Sequence, residues 1–324
     1  MKWLAAYLYY NEPWDQLLVE ALRPFANEIM EAGLAEKYFF IRYWEQGPHI
    51  RLRFFGDEKT LETQVKPKLD AWFKAWFAAN PSQYDLPEAY AHIPAEQNWY
   101  PNNSVQWIEY EPETERYGGI HALPVAEDQF RSSTDVVLTV MDESGEWSYD
   151  QALGTAIQLH LAFAKAMGMD RNEAAAFYQW VFRSWLPMAL PGTVAEKLRP
   201  AALEEVIKAF NHQLSEQKDV LAPFVNEFWQ ALQDDEEFDE AWINDWISSQ
   251  TAVKQQLTAL ADQQKIEYPM ERSPKDNDGP WPWEKLRFWS IYTSYVHMTN
   301  NRLGVQNRDE GYLGFLLANF LKTT

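Results

Sequence analysis

Two apolar segments joined by a turn dominate the first third of the chain, where residues 38–55 read YFFIRYWEQGPHIRLRFF. Residues 38–44 and 49–55 are rich in aromatic and branched side chains, which favour β-strands. The Gly-Pro pair within residues 45–48 is typical of a turn. This stretch therefore predicts a β-hairpin.

The first 122 residues alternate strands and helices around this hairpin. A strand at 2–10 and a helix that we expect to begin at Asn11 precede it, and a helix at about 59–77 and a strand at 105–110 follow it. The order β-α-β-β-α-β is that of a ferredoxin-like unit. Residues 123–324 are mostly helical. The sequence predicts a single α+β domain in which this helical part packs on the N-terminal unit.

The composition limits the function classes. The 324 residues include 28 Lys and Arg against 48 Asp and Glu, a net charge of −20, and no cysteine. Such a surface repels phosphate backbones, so we expect no direct binding of nucleic acid. The lack of cysteine excludes disulfides and thiolate chemistry and fits a cytoplasmic location. No stretch approaches the ~20 apolar residues of a membrane helix, so no membrane association is expected.

The second strand of the hairpin alternates apolar and basic side chains. A period of two places the apolar residues on one face, where they must pack on helices, and the basic residues on the other, about 7 Å apart at each step. The basic set is His49, Arg51 and Arg53, and Arg42 on the neighbouring strand can join or flank it. This row is either a solvated face with surface ion pairs or a fork for a carboxylate or phosphate.

Two further segments carry polar groups. Glu113 and Arg116 directly follow the predicted fourth strand and precede Gly118-Gly119, and they form either a ligand site or a tight turn with an internal ion pair. His297 belongs to an uncharged polar stripe, Ser290, Ser294, His297 and Asn301, on a helix otherwise rich in aromatic residues. The break at residues 265–283 leads into this helix and predicts a loop that covers the site. No metal cluster or nucleotide motif occurs, so neither a metal nor another cofactor is expected.

Taken together and in order, these segments resemble the C-terminal glutamate-elimination domain of class I lantibiotic dehydratases, which also occurs as stand-alone thiopeptide-type bacteriocin biosynthesis proteins. The resemblance implies that a separate glutamylation protein transfers glutamate from glutamyl-tRNA to Ser or Thr of a precursor peptide. This chain would then eliminate glutamate, a carbon-oxygen lyase reaction that leaves dehydroalanine or dehydrobutyrine. The matching positions are Arg51, Arg53, Glu113, Arg116 and His297.

The resemblance implies roles for these side chains. Arg51, Arg53 and Arg116 would recognise the glutamyl carboxylate, with Arg42 and His49 beside them, and the leaving glutamate is a second carboxylate for them to stabilise. His297 would transfer a proton, and Glu113 would orient an arginine. Which group removes the Cα proton stays open.

The sequence is also compatible with two other functions. One is a pyridine synthase, which joins two dehydroalanines by a formal [4+2] cycloaddition. The other is a non-catalytic subunit that binds the precursor or docks the glutamylating partner, since the 16 Trp, 16 Tyr and 18 Phe form either a large core or a peptide-binding groove. The oligomeric state is open, with a homodimer as one option.

Overall fold

The structure, a computed structural model, describes residues 1–44, 46–82, 100–190, 193–269 and 281–322. The chain forms two compact units, Met1–Pro112 with Ser133–Trp147 and Glu113–Ser132 with Ser148–Thr324. The described part is mostly helical, with one small antiparallel sheet, which confirms the predicted α+β class. The expected boundary at residues 122 and 123 lies inside Glu113–Ser132, and the helix that follows it contributes residues to both units.

The described residues of the first unit form four strands and the helices between them. Its elements are β1 (Lys2–Tyr9), α1 (Arg23–Glu31), β2 (Lys37–Tyr43), β3 (His49–Gly56), α2 (Glu58–Thr60), α3 (Lys66–Ala79), β4 (Ser104–Trp107) and the C-terminal half of α4 (Leu123–Glu143). A short π-helix precedes each of two α-helices: Leu17–Leu22 precedes α1, and Leu61–Val65 precedes α3. Each stretch is followed by a proline, Pro24 or Pro67, which lacks the N–H that the regular α-helical ladder needs.

The sheet has the strand order β2-β3-β1-β4, and every pair is antiparallel. Its apolar face packs on the helices, as predicted: Phe54 is fully buried and its ring meets that of Phe25 on α1 edge to face at 5.9 Å. The outer edge of β2 is covered by α4, where Thr134 accepts a hydrogen bond from the backbone N–H of Phe40. An edge strand covered in this way has fewer free backbone groups for pairing with another chain.

Asn11 does not begin a helix, in contrast to the expectation, because the helical conformation starts only at Asp15. Its backbone N–H donates to the side chain of Asn102 at 2.9 Å, and its carbonyl accepts from the Ser82 hydroxyl at 2.9 Å. Asn11 therefore ties the end of β1 to the segments that flank β4.

The main elements of the second unit, among its described residues, are six α-helices, the N-terminal half of α4 and the short helical turn Thr114–Tyr117. The helices are α5 (Tyr149–Ala166), α6 (Arg171–Trp185), α7 (Arg199–Gln233), α8 (Ala241–Asp262), α9 (Trp283–Leu303) and α10 (Asn307–Leu321). Helix α10 packs tightly on α6, because a Cβ at Gly314 would lie 2.8 Å from the backbone nitrogen of Phe182.

The sequence predicts most of these helix ends. The sequence predicts Ser148 as the cap of a helix that Gly168 ends, and both predictions are confirmed: Ser148 caps α5, and Gly168 follows the helix with a positive φ. The structure adds a capping box between Ser148 and Gln151. The sequence pattern also predicts two separate helices at residues 194–214 and 220–233, and this prediction is wrong, because the region forms the single helix α7. Residues 215–219 are ordinary helix formers, and Pro223 lies inside the helix without ending it.

Candidate functional site

The predicted row of basic residues lies on one face of β3, opposite the face that packs on the helices; we call this the arginine face (His49, Arg51 and Arg53). Residues paired across neighbouring antiparallel strands share a face. In β1, Tyr7 lies opposite Arg51 and Tyr9 opposite His49. In β2, Phe39, Ile41 and Tyr43 lie opposite the three basic residues. The arginines are therefore set in a largely aromatic surface.

Arg51 is held by two tyrosine rings and a histidine. Its guanidinium carbon lies 3.3 Å from the ring centroid of Tyr43 and 4.7 Å from that of Tyr7. Its Nε donates a hydrogen bond to Nε2 of His49 at 3.1 Å. Each cation–π contact is worth about 0.5–2 kcal/mol, so the side chain is oriented while it stays partly exposed.

Arg53 is buried against aromatic rings. Its guanidinium carbon lies 4.2 Å from the ring centroid of Tyr110 and 5.3 Å from that of Phe39. Its Nε has no hydrogen-bond partner among the described residues, and burial lowers the pKa of the guanidinium, with Tyr110 and Tyr7 acting in the opposite direction. A buried donor without a partner is costly, which favours a ligand that supplies the acceptor.

Neither Arg51 nor Arg53 forms an ion pair with an acidic side chain of the described part of the chain. Other arginines of the same unit do: Arg23 pairs with Asp142 and Arg42 with Asp15. In a chain with 48 acidic residues against 28 basic ones, two neighbouring arginines without a carboxylate partner are distinctive. This arrangement suits the binding of an anion from outside the chain.

His49 lies on the arginine face but uses both of its ring nitrogens within the protein. The ring is buried and stacks between Tyr7 and Tyr9, with centroids 5.0 and 4.6 Å away. Nδ1 lies 2.7 Å from the Gly47 carbonyl, which only accepts, and Nε2 accepts from Arg51, which only donates. The ring is therefore neutral with the proton on Nδ1. Burial lowers its pKa to about 4, the Gly47 carbonyl acts against this shift, and the Arg51 charge adds to it.

Arg42 does not join the arginine face, in contrast to the expectation. It is paired with Ile50, which belongs to the face of the sheet that packs on the helices. There the guanidinium lies 3.5 Å from Asp15 and 5.9 Å from the ring centroid of Trp14, and it is buried. The strand register decides this, because one residue along a strand changes the face.

Glu113 and Arg116 lie together in the second unit, at the turn Thr114–Tyr117. Arg116 Nη1 lies 3.4 Å from Glu113 Oε2, so the expected turn with an internal ion pair is present. The turn leads into Gly118 and Gly119, whose φ angles of 94° and 86° are strained for residues with a Cβ. A Cβ at Gly119 would also lie 2.8 Å from side-chain atoms of Glu267.

Helix α9 brings Arg116 close to His297. Arg116 Nε donates to the hydroxyl of Ser294 at 3.3 Å, and Ser294 precedes His297 by three residues on the same helix. Residues spaced three apart on a helix have Cβ atoms roughly 5–6 Å apart. The second unit thus places a guanidinium and an imidazole on one side of α9.

His297 is held by a stacked indole and a buried carboxylate. The Trp185 ring lies 4.4 Å away at an interplanar angle of 26°. Nδ1 lies 3.0 and 3.1 Å from the two carboxylate oxygens of Glu310, whose side chain is 1% exposed, against 17% for His297. Sequence reasoning missed Glu310. In the sequence, Glu310 is an acidic residue in the first turn of the largely apolar final helix. Acidic residues are common at helix N-termini, so this position alone does not indicate a functional role.

The other histidines of the described part of the chain have different surroundings. His160 lies in an apolar stretch of the sequence, which predicts a core residue with satisfied hydrogen bonds, and it is buried and bonded to Asn300. His121 is exposed, and His212 is exposed beside Glu216. His92 and residues 270–280 of the predicted covering loop lie outside the described residues.

Two kinds of feature are absent from the part of the chain that the structure describes. No group of three or more His, Cys, Asp or Glu residues is placed to hold a metal ion there. None of its helices is both long and apolar enough to cross a membrane.

The structure is that of an α+β protein. One unit has a sheet face with two arginines that lack an acidic partner among the described residues, and the other unit has a histidine bonded to a buried carboxylate. The family described as lantibiotic biosynthesis dehydratase C-term matches residues 3–321, and the chain belongs to this family. Subtilin biosynthesis protein SpaB of Bacillus subtilis is 29% identical to it over 136 residues, which are 42% of this chain. The chain covers only 11% of the length of that relative.

Solved structures share the fold at low sequence identity. The pyridine synthase TbtD from thiomuracin biosynthesis has a TM-score of 0.75 at 16% identity, covering 99% of this chain and 98% of that one. TsrL has a TM-score of 0.67 at 16% identity, covering 98% and 94%. The tRNA-dependent lantibiotic dehydratase MibB from Microbispora sp. 107891 has a TM-score of 0.61 at 20% identity, covering 99% of this chain and 28% of that one.

Proposed function

We propose that this protein eliminates glutamate from O-glutamylated Ser or Thr residues of a ribosomally made precursor peptide. The observation that carries the proposal is the arginine face, where Arg51 and Arg53 have no acidic partner among the described residues. A glutamyl adduct carries a free carboxylate, and guanidiniums bind carboxylates in a forked, charge-assisted geometry. Membership of the dehydratase family supports this reading.

The reaction needs a proton acceptor and a stabilised leaving group. The Cα–H bond breaks, its electron pair forms the Cα=Cβ double bond, and the Cβ–O bond breaks so that glutamate leaves with the electron pair. Glutamyl-tRNA carries glutamate through its α-carboxyl group, so the leaving group is an α-carboxylate, which with a conjugate-acid pKa of about 3.5 leaves far more readily than hydroxide. We assign proton transfer to His297, recognition of the glutamyl group to Arg51, Arg53 and Arg116, and orientation of Arg116 to Glu113.

The proposal includes its partners. The substrate is the glutamylated precursor peptide, and a separate protein attaches the glutamate. We also propose a ferredoxin-like arrangement for the first unit, which its β-α-β-β-α-β element order and its strand order β2-β3-β1-β4 support. A homodimer stays an option that size measurements on the purified protein would decide.

A second candidate function is pyridine synthesis, and one observation favours it: the pyridine synthase TbtD matches this chain almost end to end. The substrate of such an enzyme carries dehydroalanines and no glutamate. It therefore gives the arginine face no glutamyl carboxylate to bind. A non-catalytic peptide-binding subunit is the third possibility.

One assay separates these functions. The purified protein is incubated with a glutamylated precursor peptide, and the mass of the peptide is followed. We expect loss of glutamate with the native protein and with Arg183→Gln, an exposed arginine of the second unit that serves as the control. His297→Gln and Arg51→Gln should abolish the loss. If the mass is unchanged but the peptide still binds, the protein is a non-catalytic peptide-binding subunit. Release of the leader peptide from a substrate that contains dehydroalanines would support pyridine synthesis.

A further inference from the structure

A buried carboxylate in the second unit receives hydrogen bonds from two sides. Glu310 accepts from His297 Nδ1 at 3.0 and 3.1 Å, and its Oε2 accepts from Asn300 Nδ2 at 3.2 Å. An ionised carboxylate is an acceptor only, so both of these neighbours must donate. Its side chain is 1% exposed, and the bonds to it are therefore little screened by solvent.

The other end of the network sets the orientation of Asn300. His160 Nε2 lies 2.8 Å from Asn300 Oδ1, and burial lowers the His160 pKa to about 4, so the ring is neutral and Nε2 is its donor. Turning the amide over would direct Asn300 Oδ1 at the Glu310 carboxylate, where two acceptors would face each other. In this series of hydrogen bonds, His160 therefore donates to Asn300, and Asn300 donates to Glu310.

This direction determines which nitrogen of His297 carries the proton. Because Glu310 accepts, His297 Nδ1 carries a proton, and in the neutral form of the ring the lone pair is on Nε2. The Trp185 ring, stacked at 4.4 Å, holds the imidazole plane. A histidine held by a carboxylate in this way exchanges protons through its other nitrogen, and the carboxylate stabilises the imidazolium that forms.

We propose that Glu310 is a positioning residue that keeps His297 in the Nδ1–H tautomer and makes Nε2 the atom that exchanges the proton during elimination. This inference rests on the proposed function. In the step itself Nε2 forms a bond to the proton leaving Cα, the Cα–H electron pair becomes the double bond, and glutamate departs with the Cβ–O pair. Glu310 touches neither the peptide nor the leaving group in this scheme.

The substitution Glu310→Gln tests the tautomer directly. The amide has the same shape as the carboxylate but only one acceptor, and Asn300 Nδ2 needs that acceptor at the Oε2 position. The new NH₂ group then faces His297 Nδ1, which must accept, and the proton moves to Nε2. We expect kcat to fall about 100-fold or more, as a wrong histidine tautomer does elsewhere, with KM little changed.

The decisive readout is spectroscopic. Protein labelled with ¹⁵N in histidine gives long-range ¹H–¹⁵N correlations that distinguish the two neutral tautomers, and the His297→Gln variant identifies the His297 signals. We expect Nδ1–H in the native protein and Nε2–H in Glu310→Gln. The matched control is Glu173→Gln, another buried glutamate of this unit, which is ion-paired with Lys285 and should leave the His297 pattern and the rate unchanged.

A double variant separates positioning from simple damage to the fold. Adding Asn300→Ala to Glu310→Gln removes the competing donor, so the amide can turn its oxygen to His297. We expect the Nδ1–H pattern to return, together with part of the lost rate. An unchanged His297 tautomer in Glu310→Gln would overturn the inference. A tautomer switch in a protein that never releases glutamate would sustain the positioning role and refute the proposed function instead.

Discussion

The buried neutral ring of His49 makes the stability of the first unit depend on pH in a defined window. Burial lowers its pKa from the ordinary 6.5 to about 4. The unfolded chain therefore binds a proton at this position below pH 6.5, whereas the folded protein does so only near pH 4. The contribution of His49 to the free energy of unfolding is fully present above pH 6.5 and is lost as the pH decreases from 6.5 to 4. Below pH 4 this residue causes no further loss.

The size of this loss follows from the two pKa values. Each pKa unit is worth about 1.4 kcal/mol, which sets a limit of about 3 kcal/mol below pH 4. At pH 5 the unfolded ring is mostly protonated and the folded ring mostly neutral, so about 2 kcal/mol is lost. Protonation would also break the bond from Arg51 Nε to His49 Nε2, because both nitrogens would then be donors.

The perturbation is His49→Gln, which removes the titrating ring and keeps an acceptor for Arg51, since the Gln carbonyl oxygen reaches the position of Nε2. Urea unfolding at pH 7.5 and pH 5.0 gives the loss in the free energy of unfolding for each protein. We expect the loss in His49→Gln to be about 2 kcal/mol smaller than in the native protein.

The control is His121→Gln, which removes an exposed histidine. It should show the same loss between the two pH values as the native protein. If His49→Gln loses as much free energy of unfolding between pH 7.5 and pH 5.0 as the native protein, the His49 ring is not buried in its neutral form.

Three more perturbations test the site and the packing. Arg51→Lys keeps the positive charge but loses the forked donor geometry of the guanidinium, so we expect KM for the glutamylated peptide to rise about tenfold or more. An unchanged KM would show that Arg51 does not bind the substrate. Ser294→Ala removes the acceptor of Arg116 Nε and should lower kcat/KM about 3–10-fold, a loss that must disappear when Arg116→Gln is already present. Gly314→Ala drives a methyl group into the α6 backbone and should cost about 1–3 kcal/mol in urea unfolding, whereas Gly154→Ala, with no atom within 4 Å, should cost nothing; equal effects would contradict the close contact.

Local features of the fold are well predicted by the sequence. The hairpin of β2 and β3 and the helix cap at Ser148 both depend on residues within a few positions of one another. The missed features depend on competition between segments. Asn11 has the chemistry of a helix cap, yet Asn102 and Ser82 from later in the chain take its backbone groups.

The candidate site shows the same division. The polar stripe of α9 identified His297, and the charge contrast identified Arg51 and Arg53. Nothing local identified Glu310, because its role comes from a partner thirteen residues away across a helix boundary and from its burial. The assignment of Arg42 to the arginine row was not met, because the register of β2 against β3 could not be read from either strand alone.

By itself the sequence determined that His49, Arg51 and Arg53 share a face, because the pleat of a strand alternates side chains residue by residue. Only the tertiary structure decided which groups surround that face and which nitrogens of His49 and His297 donate hydrogen bonds. Strand register, the packing of helix α10 and the burial of Glu310 are set by contacts between distant segments. A hydrogen-bond direction is defined only when both partners are in place.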